Sequence, residues 1–196
     1  MNDPILIISA AIVGYLLGSI PFGLILTRLG GKGDIRDIGS GNIGATNVLR
    51  SGSKLLALLT LLADAAKGFV AVAIIWRFGN DQASFLAGLA AFAGHLFPVW
   101  LDFKGGKGVA VFIGAMLMMS PLAGLSFLAI WVLMAVVFRI SSLSAIVALL
   151  AMLPLLAFIG ELDALLFTIV MVGLSLYAHR ENIARLRAGT EPKIGA

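Results

Sequence analysis

Apolar residues fall in seven runs, at about residues 4–26, 55–77, 83–101, 108–120, 121–138, 143–160 and 162–179, and the short segments between them hold most of the charge. A helix needs roughly 20 apolar residues to cross a ~30 Å hydrocarbon core. The first three runs meet that length, and the last two meet it if slightly tilted or short. Residues 108–138 read either as one helix, about 46 Å long and well beyond the core, or as two. Ser120-Pro121 offers the break, because proline has no N–H to donate and restricts the residue before it. The pattern predicts an all-α integral membrane protein of seven transmembrane helices. It forms a single domain over 1–196, with a short fourth helix and a glycine-rich loop at about 28–54.

Charge decides between six spans and seven. With the break, one face carries Arg28, Lys32, Arg36, Arg50, Lys54, Lys104, Lys107, Arg139, Arg180, Arg185, Arg187 and Lys193. The opposite face keeps Arg77 with Asp3, Asp81, Glu161 and Asp163. Without the break, the basic C-terminal tail moves to the acidic side. The positive-inside bias therefore predicts a periplasmic N-terminus, a cytoplasmic C-terminus and a fourth span of ~13 residues, roughly 20 Å. A helix that short, starting at Gly108, must begin below the membrane surface, as half-helices do at membrane ion sites.

Composition agrees and narrows the chemistry. The 196 residues are 60% hydrophobic and only 12% charged, with a mean hydropathy of +1.06. No soluble domain of this size hides that much apolar surface. The absence of cysteine excludes a disulfide framework and thiolate metal sites. His95 and His179 lie far apart, with no carboxylate at ligand spacing, so no metal is expected. Met1-Asn2-Asp3-Pro4 lacks the cationic region of a cleavable signal, so the first run is expected to be retained.

The polar segments carry the candidate chemistry. Phe103-Lys104-Gly105-Gly106-Lys107-Gly108 places glycines and two lysines between apolar runs, where bare N–H groups, cations and a following helix N-terminus suit a phosphate or carboxylate. Asp37-Ile38-Gly39-Ser40-Gly41-Asn42-Ile43-Gly44-Ala45-Thr46-Asn47-Val48-Leu49-Arg50 is a hydroxyl- and amide-rich loop with one arginine, again suited to oxyanions. Residues 39–44 satisfy G-x-G-x-x-G formally. No strand precedes them, and Asp64, at the distance of a ribose-binding acid, falls inside an apolar span, so a dinucleotide site is refuted. Asp64 and Lys67 share a helix face and are read as a structural pair, and His95 as a hydrogen-bonded core histidine. Ser141 or Ser142 is placed to cap the sixth helix. On a continuing seventh helix His179 and Asn182 share a face, while the tail arginines read as headgroup anchors. Gly30-Gly31-Lys32-Gly33 resembles Gly105-Gly106-Lys107-Gly108, but no inverted repeat accompanies it.

The 37–50 loop, the 104–108 turn, Ser142 and His179/Asn182 should meet at the inner face, with enough cations, N–H groups and hydroxyls for two phosphates. No nucleophile–base–acid triad and no histidine–aspartate acyltransferase motif is present. Such a site suits an already activated donor, with positioning and charge stabilisation supplying most of the catalysis. The competing class is a transporter or exchanger of a small phosphorylated solute, which would need polar residues reaching both faces.

Gly18-Ser19-Ile20-Pro21-Phe22-Gly23, Gly39 to Arg50, Gly94-His95-Leu96-Phe97-Pro98 with Phe103 to Gly108, and His179-Arg180-Glu181-Asn182 occur in an order that resembles the bacterial acyl-phosphate:glycerol-3-phosphate acyltransferase family. The resemblance implies transfer of a fatty acyl group from acyl phosphate to the sn-1 hydroxyl of glycerol 3-phosphate. The products are lysophosphatidic acid and inorganic phosphate, in the first step of phospholipid synthesis. It implies roles for Ser40 and Arg50 from the first motif and glycerol 3-phosphate binding by Lys104, Gly105, Gly106, Lys107 and Gly108. His179 and Asn182 come from the third motif, with a structural role for Glu181. We expect Lys107 and Arg50 to hold phosphates and Ser40, Asn42, Thr46, Asn47 and Ser142 to line the site. His179 is expected to orient the glycerol or take its proton, an alternative to the donor's own phosphate. No cofactor, metal or nucleic-acid partner is expected. A multi-pass inner-membrane location with a cytoplasmic active site is implied, as is docking of a soluble acyl-phosphate-producing enzyme on the basic face.

Overall fold

A computed structural model describes residues 4–78 and 80–195; the readings of Met1–Asp3 lie outside them. The described residues contain no strand. The helices are α1 (Pro4–Gly18), α2 (Phe22–Leu29), α3 (Ala45–Arg50), α4 (Lys54–Trp76), α5 (Asp81–Leu96), α6 (Val109–Met119), α7 (Pro121–Phe138), α8 (Ser141–Ile159), α9 (Leu162–Ala178) and α10 (Arg180–Arg187). Five segments are long and apolar enough to cross a membrane: Pro4–Leu29, Lys54–Trp76, Asp81–Leu101, Pro121–Phe138 and Ser141–Ile159. Joining α9 to α10 makes six, and α6 is a shorter apolar helix.

The breaks have local causes. The chain leaves α1 at Ser19 and resumes at Phe22, with Pro21, which cannot donate, as the N-cap. Residues 108–138 are two helices: Ser120 ends α6 and caps α7, its Oγ accepting from Ala123 N, with Pro121 in the first turn. At 11 residues, α6 spans about 16 Å and does not cross a hydrocarbon core by itself. It is held against α4 at two glycines, where a Cβ on Gly68 would strike Val111 O and one on Gly114 would strike Ala65 O. Such close backbone approach is how helices associate where lipid removes the hydrophobic drive. The seventh helix does not continue into the tail: α10 turns 61° from α9 at His179.

Phe92, Phe112 and Phe127 fill the centre with Met116, Met152 and Met171, all fully buried. Leucines, isoleucines and valines facing outward on α1, α4, α7 and α9 are exposed, as lipid-facing surfaces of a membrane bundle are. Residues from the 40–50 loop and α3, the 107–110 turn, the start of α8, the α9–α10 bend and the tail gather around one cavity, and so at one end of the bundle. Thr46 meeting Ser141 at 3.2 Å, and Tyr15 Oη donating to Phe97 O at 2.8 Å, tie that end together.

Candidate active site

A cavity of about 700 Å³ opens at this end. Its polar half takes Ser40, Asn42, Thr46 and Arg50 from the loop and α3, and Lys107 and Gly108 from the turn before α6. Ser141 and Ser142 come from α8, His179, Asn182 and Arg185 from the α9–α10 bend, and Glu191 and Lys193 from the tail. Its other half is apolar, formed by Leu58 and Leu61 of α4, Val109 and Ile113 of α6, and Leu128, Trp131 and Val132 of α7.

The loop is shaped from within by Asn47. Its Nδ2 donates to Ile35 O, Ile38 O and Asn42 O, at 2.9, 2.9 and 2.8 Å, while its Oδ1 accepts from Ser40 N at 3.0 Å. Asn47 is buried, and the loop uses its whole amide. Asn47 also lines the cavity, and its amide braces the loop so that Ser40, Asn42 and Arg50 stand at the cavity wall.

The 104–108 turn divides. Lys104 is exposed and, with Gly105 and Gly106, stands outside the cavity wall. The N–H groups of Gly105 and Gly106 donate to Leu96 O and His95 O at 3.0 and 2.9 Å, so they are not free for an anion as the glycine pattern suggested. Gly108 has φ 82°, a conformation that suits glycine, and there the chain turns into α6 and directs its first turn, Val109 and Ala110, at the cavity.

Lys107 Nζ donates to Asn182 Oδ1. Asn182 Nδ2 donates to Glu191 Oε1, which also accepts from Ser142 Oγ at 2.7 Å, and Glu191 Oε2 accepts from Arg185 Nε at 2.7 Å. Burial depresses the Lys107 ammonium below the usual lysine range, opposed by the Glu191 charge. Burial raises Glu191, but the bonds from Ser142, Asn182 and Arg185 outweigh it and hold the carboxyl below its ordinary value. His179 Nδ1 lies 2.8 Å from Ser175 O. A carbonyl only accepts, so Nδ1 carries the proton and a neutral ring keeps its lone pair on Nε2.

Three expectations are corrected here. Neither Ser141 nor Ser142 caps α8, whose N-cap is Ile140; both hydroxyls turn to Thr46 and Glu191 instead. Arg185 is no headgroup anchor but points into the cavity against Glu191. Glu181 is exposed, and the glutamate that ties the third motif together is Glu191. Arg185, Glu191 and Lys193 were not singled out as site residues in the sequence, although Glu191, one of two acids in the basic run 180–193, was an available signal.

A family model described as glycerol-3-phosphate acyltransferase matches residues 8–189. A glycerol-3-phosphate acyltransferase of Agrobacterium fabrum is 58% identical over 193 residues, covering 98% of this chain and 94% of the relative. One from Maricaulis maris is 53% identical over 195 residues, covering 100% and 90%. Among solved structures, the chain is similar to PlsY, an integral membrane glycerol 3-phosphate acyltransferase. Its glycerol 3-phosphate form gives a TM-score of 0.91 at 39% identity, covering 96% of each chain. Its lysophosphatidic acid form gives 0.89 at 38%, covering 96% and 95%.

Proposed function

This chain belongs to the glycerol-3-phosphate acyltransferase family, and from that premise we propose that its cavity moves a fatty acyl group from acyl phosphate to the sn-1 hydroxyl of glycerol 3-phosphate. The observation that carries the reading is one cavity with two halves, a cationic polar end and an apolar slot between α4, α6 and α7. An acyl phosphate has a matching shape, with a dianionic head and a chain that partitions into the membrane. Arg50, Lys107, Arg185 and Lys193 oppose only Asp64 and Glu191 in the cavity lining, so anions are favoured.

Lys107, with the first turn of α6, holds the acceptor's phosphate. Arg50, Ser40, Asn42 and Thr46 take the donor's phosphate. His179 Nε2 accepts a hydrogen bond from the sn-1 hydroxyl and aligns it on the acyl carbonyl. The hydroxyl oxygen attacks that carbon, the bond to the phosphate oxygen breaks, and the hydroxyl proton passes by way of His179 Nε2 to the departing phosphate. The products are 1-acyl-glycerol 3-phosphate and inorganic phosphate. Because the donor is already a mixed anhydride, alignment and charge stabilisation suffice.

The basic end lies in the cytoplasm of a bacterial inner membrane, and α6 completes a seven-crossing chain by packing between full-length neighbours. The basic inner-face segments offer a soluble acyl-phosphate-producing enzyme a docking face, although Arg28 and Arg36, exposed at 56% and 43%, are both paired with Asp34. The transporter reading lacks support, since the polar lining stays at one end. The pocket at the other end is separate and acidic, with Asp81, Glu161 and Asp163. The test uses purified protein with acyl phosphate and glycerol 3-phosphate, and acyl thioesters as parallel donors. Formation of 1-acyl-glycerol 3-phosphate is expected with acyl phosphate alone among the donors, and phosphate release from acyl phosphate only when the acceptor is present.

A further inference from the structure

Two charges and an imidazole inside apolar helices are costly unless each finds a partner. Asp64 and Lys67, one turn apart on α4, would already form a local pair, and Lys67 Nζ does lie 2.9 Å from Asp64 Oδ1. The ammonium also donates to Ile20 O, exposed by the break between α1 and α2, and to His95 Nδ1 on α5, each at 2.8 Å. One cation thus binds three elements. An ammonium can only donate, so the His95 ring is neutral with its proton on Nε2.

That outer edge of the ring bears on the turn that carries Lys107. A Cβ on Gly106 would overlap His95 Nε2, Cε1 and Cδ2, and one on Gly105 would overlap His95 O. The backbone of both glycines is bonded to the end of α5, Gly106 N to His95 O and Gly105 N to Leu96 O. On the far side, Gly108 sits so close to the Phe92 ring and Leu96 that a side chain there would strike both. Lys107 is therefore clamped between two glycines resting on α5, with no slack for its backbone. Asp64 and His95 themselves reach the cavity lining, so the cluster is the floor under the anion site, not a remote brace.

We infer that the Asp64–Lys67–His95 cluster is a positioning device for the acceptor-phosphate site: it fixes the His95 ring as the seat of Gly105–Gly106 and so aims Lys107 and the first turn of α6 at the phosphate. The inference rests on the reading of Lys107 as a ligand of glycerol 3-phosphate. Its consequence is selective. Misplacing a positioned group by about 1 Å costs up to ~100-fold, and the loss falls on the acceptor, because Arg50 and Ser40 are held by a different loop.

The test measures KM for both substrates and kcat in five variants: Lys107→Ala, Gly106→Ala, His95→Phe, Gly106→Ala combined with His95→Phe, and the charge-balanced pair Asp64→Asn with Lys67→Met. His95→Phe keeps a ring but loses the bond from Lys67. Gly106→Ala acts at the contact alone and decides the matter if the variants of the buried cluster do not fold. The expected result is a rise of about tenfold or more in KM for glycerol 3-phosphate. KM for acyl phosphate should move less than about twofold, and Gly106→Ala with His95→Phe should do no more than either alone. A role confined to folding would lower the amount of active protein and leave both KM values unchanged, and that result overturns the inference. An unchanged acceptor KM in Lys107→Ala overturns the site reading and this inference with it. A rise there, with none in Gly106→Ala, overturns the inference alone.

Discussion

Two lysines in this chain sit beside acids and amides and end in opposite conditions. Lys67 is closed in: it is buried with Asp64, and its contacts are an acid, a carbonyl and an imidazole of the protein itself. Lys107 is half-buried at a cavity wall and donates to Asn182, whose amide in turn donates to the tail carboxylate of Glu191. The side chains are the same, but their settings are not. A cation whose partners are all internal fixes geometry, whereas one whose partners are neutral or displaceable is available to an anion. The difference is made by backbone, since α4 brings Asp64 to Lys67 by helix periodicity, while Lys107 meets Asn182 only through the 61° bend at His179.

Breaking the closed cluster should have the largest effect. Lys67→Met leaves the Asp64 carboxylate buried without a cation, which should cost about 3–5 kcal/mol. Thermal unfolding in detergent should show it, and adding Asp64→Asn should recover much of it. Lys107→Ala should do the reverse, with little change in unfolding temperature and a rise on the order of 10- to 100-fold in KM for glycerol 3-phosphate, as expected for a lost charge-assisted hydrogen bond. Glu191→Ala frees Asn182 and Ser142 to turn away, and kcat/KM should fall about tenfold, with Glu191→Gln keeping part of the activity.

The smallest effects are those of pH. The folded Glu191 carboxyl titrates below its ordinary value, so the tail clasp is complete above about pH 4.3 and is lost as pH falls through the folded value. Proteolysis of residues 189–195 should rise there and not before. Lys107 titrates below the usual ~10.4 for lysine. Hence kcat/KM for the acceptor, which reports the free enzyme, should decline at a lower alkaline pH than an exposed lysine would give.

Much of the helical framework was legible because it depends on short-range rules. Apolar run length marked the helices, Pro121 marked the break after α6, and Gly108 marked its start. The 37–50 loop, Lys107, Ser142, His179 and Asn182 stood out as polar beside membrane-length runs. The family resemblance picked Ser40 and Arg50 out of the loop, and the structure brings all six residues to one cavity. What could not be read depends on direction. Lys104 and Lys107 look alike in sequence, and only the left-handed turn at Gly108 and the seat on His95 separate them. The bracing by Asn47 could not be read either, because it joins carbonyls of its own loop up to twelve residues away. Arg185 and Glu191 were hidden by the bend at His179, which a continuous helical wheel cannot represent.

The most direct measurement of the central claim is phosphate release by the purified protein with acyl phosphate, titrated with glycerol 3-phosphate, for the unaltered chain and for Lys107→Ala. This account predicts release that requires both substrates and saturates with the acceptor, and a Lys107→Ala curve displaced to higher acceptor concentration. Release that proceeds without glycerol 3-phosphate, or a Lys107→Ala curve that superimposes on the original, would contradict it.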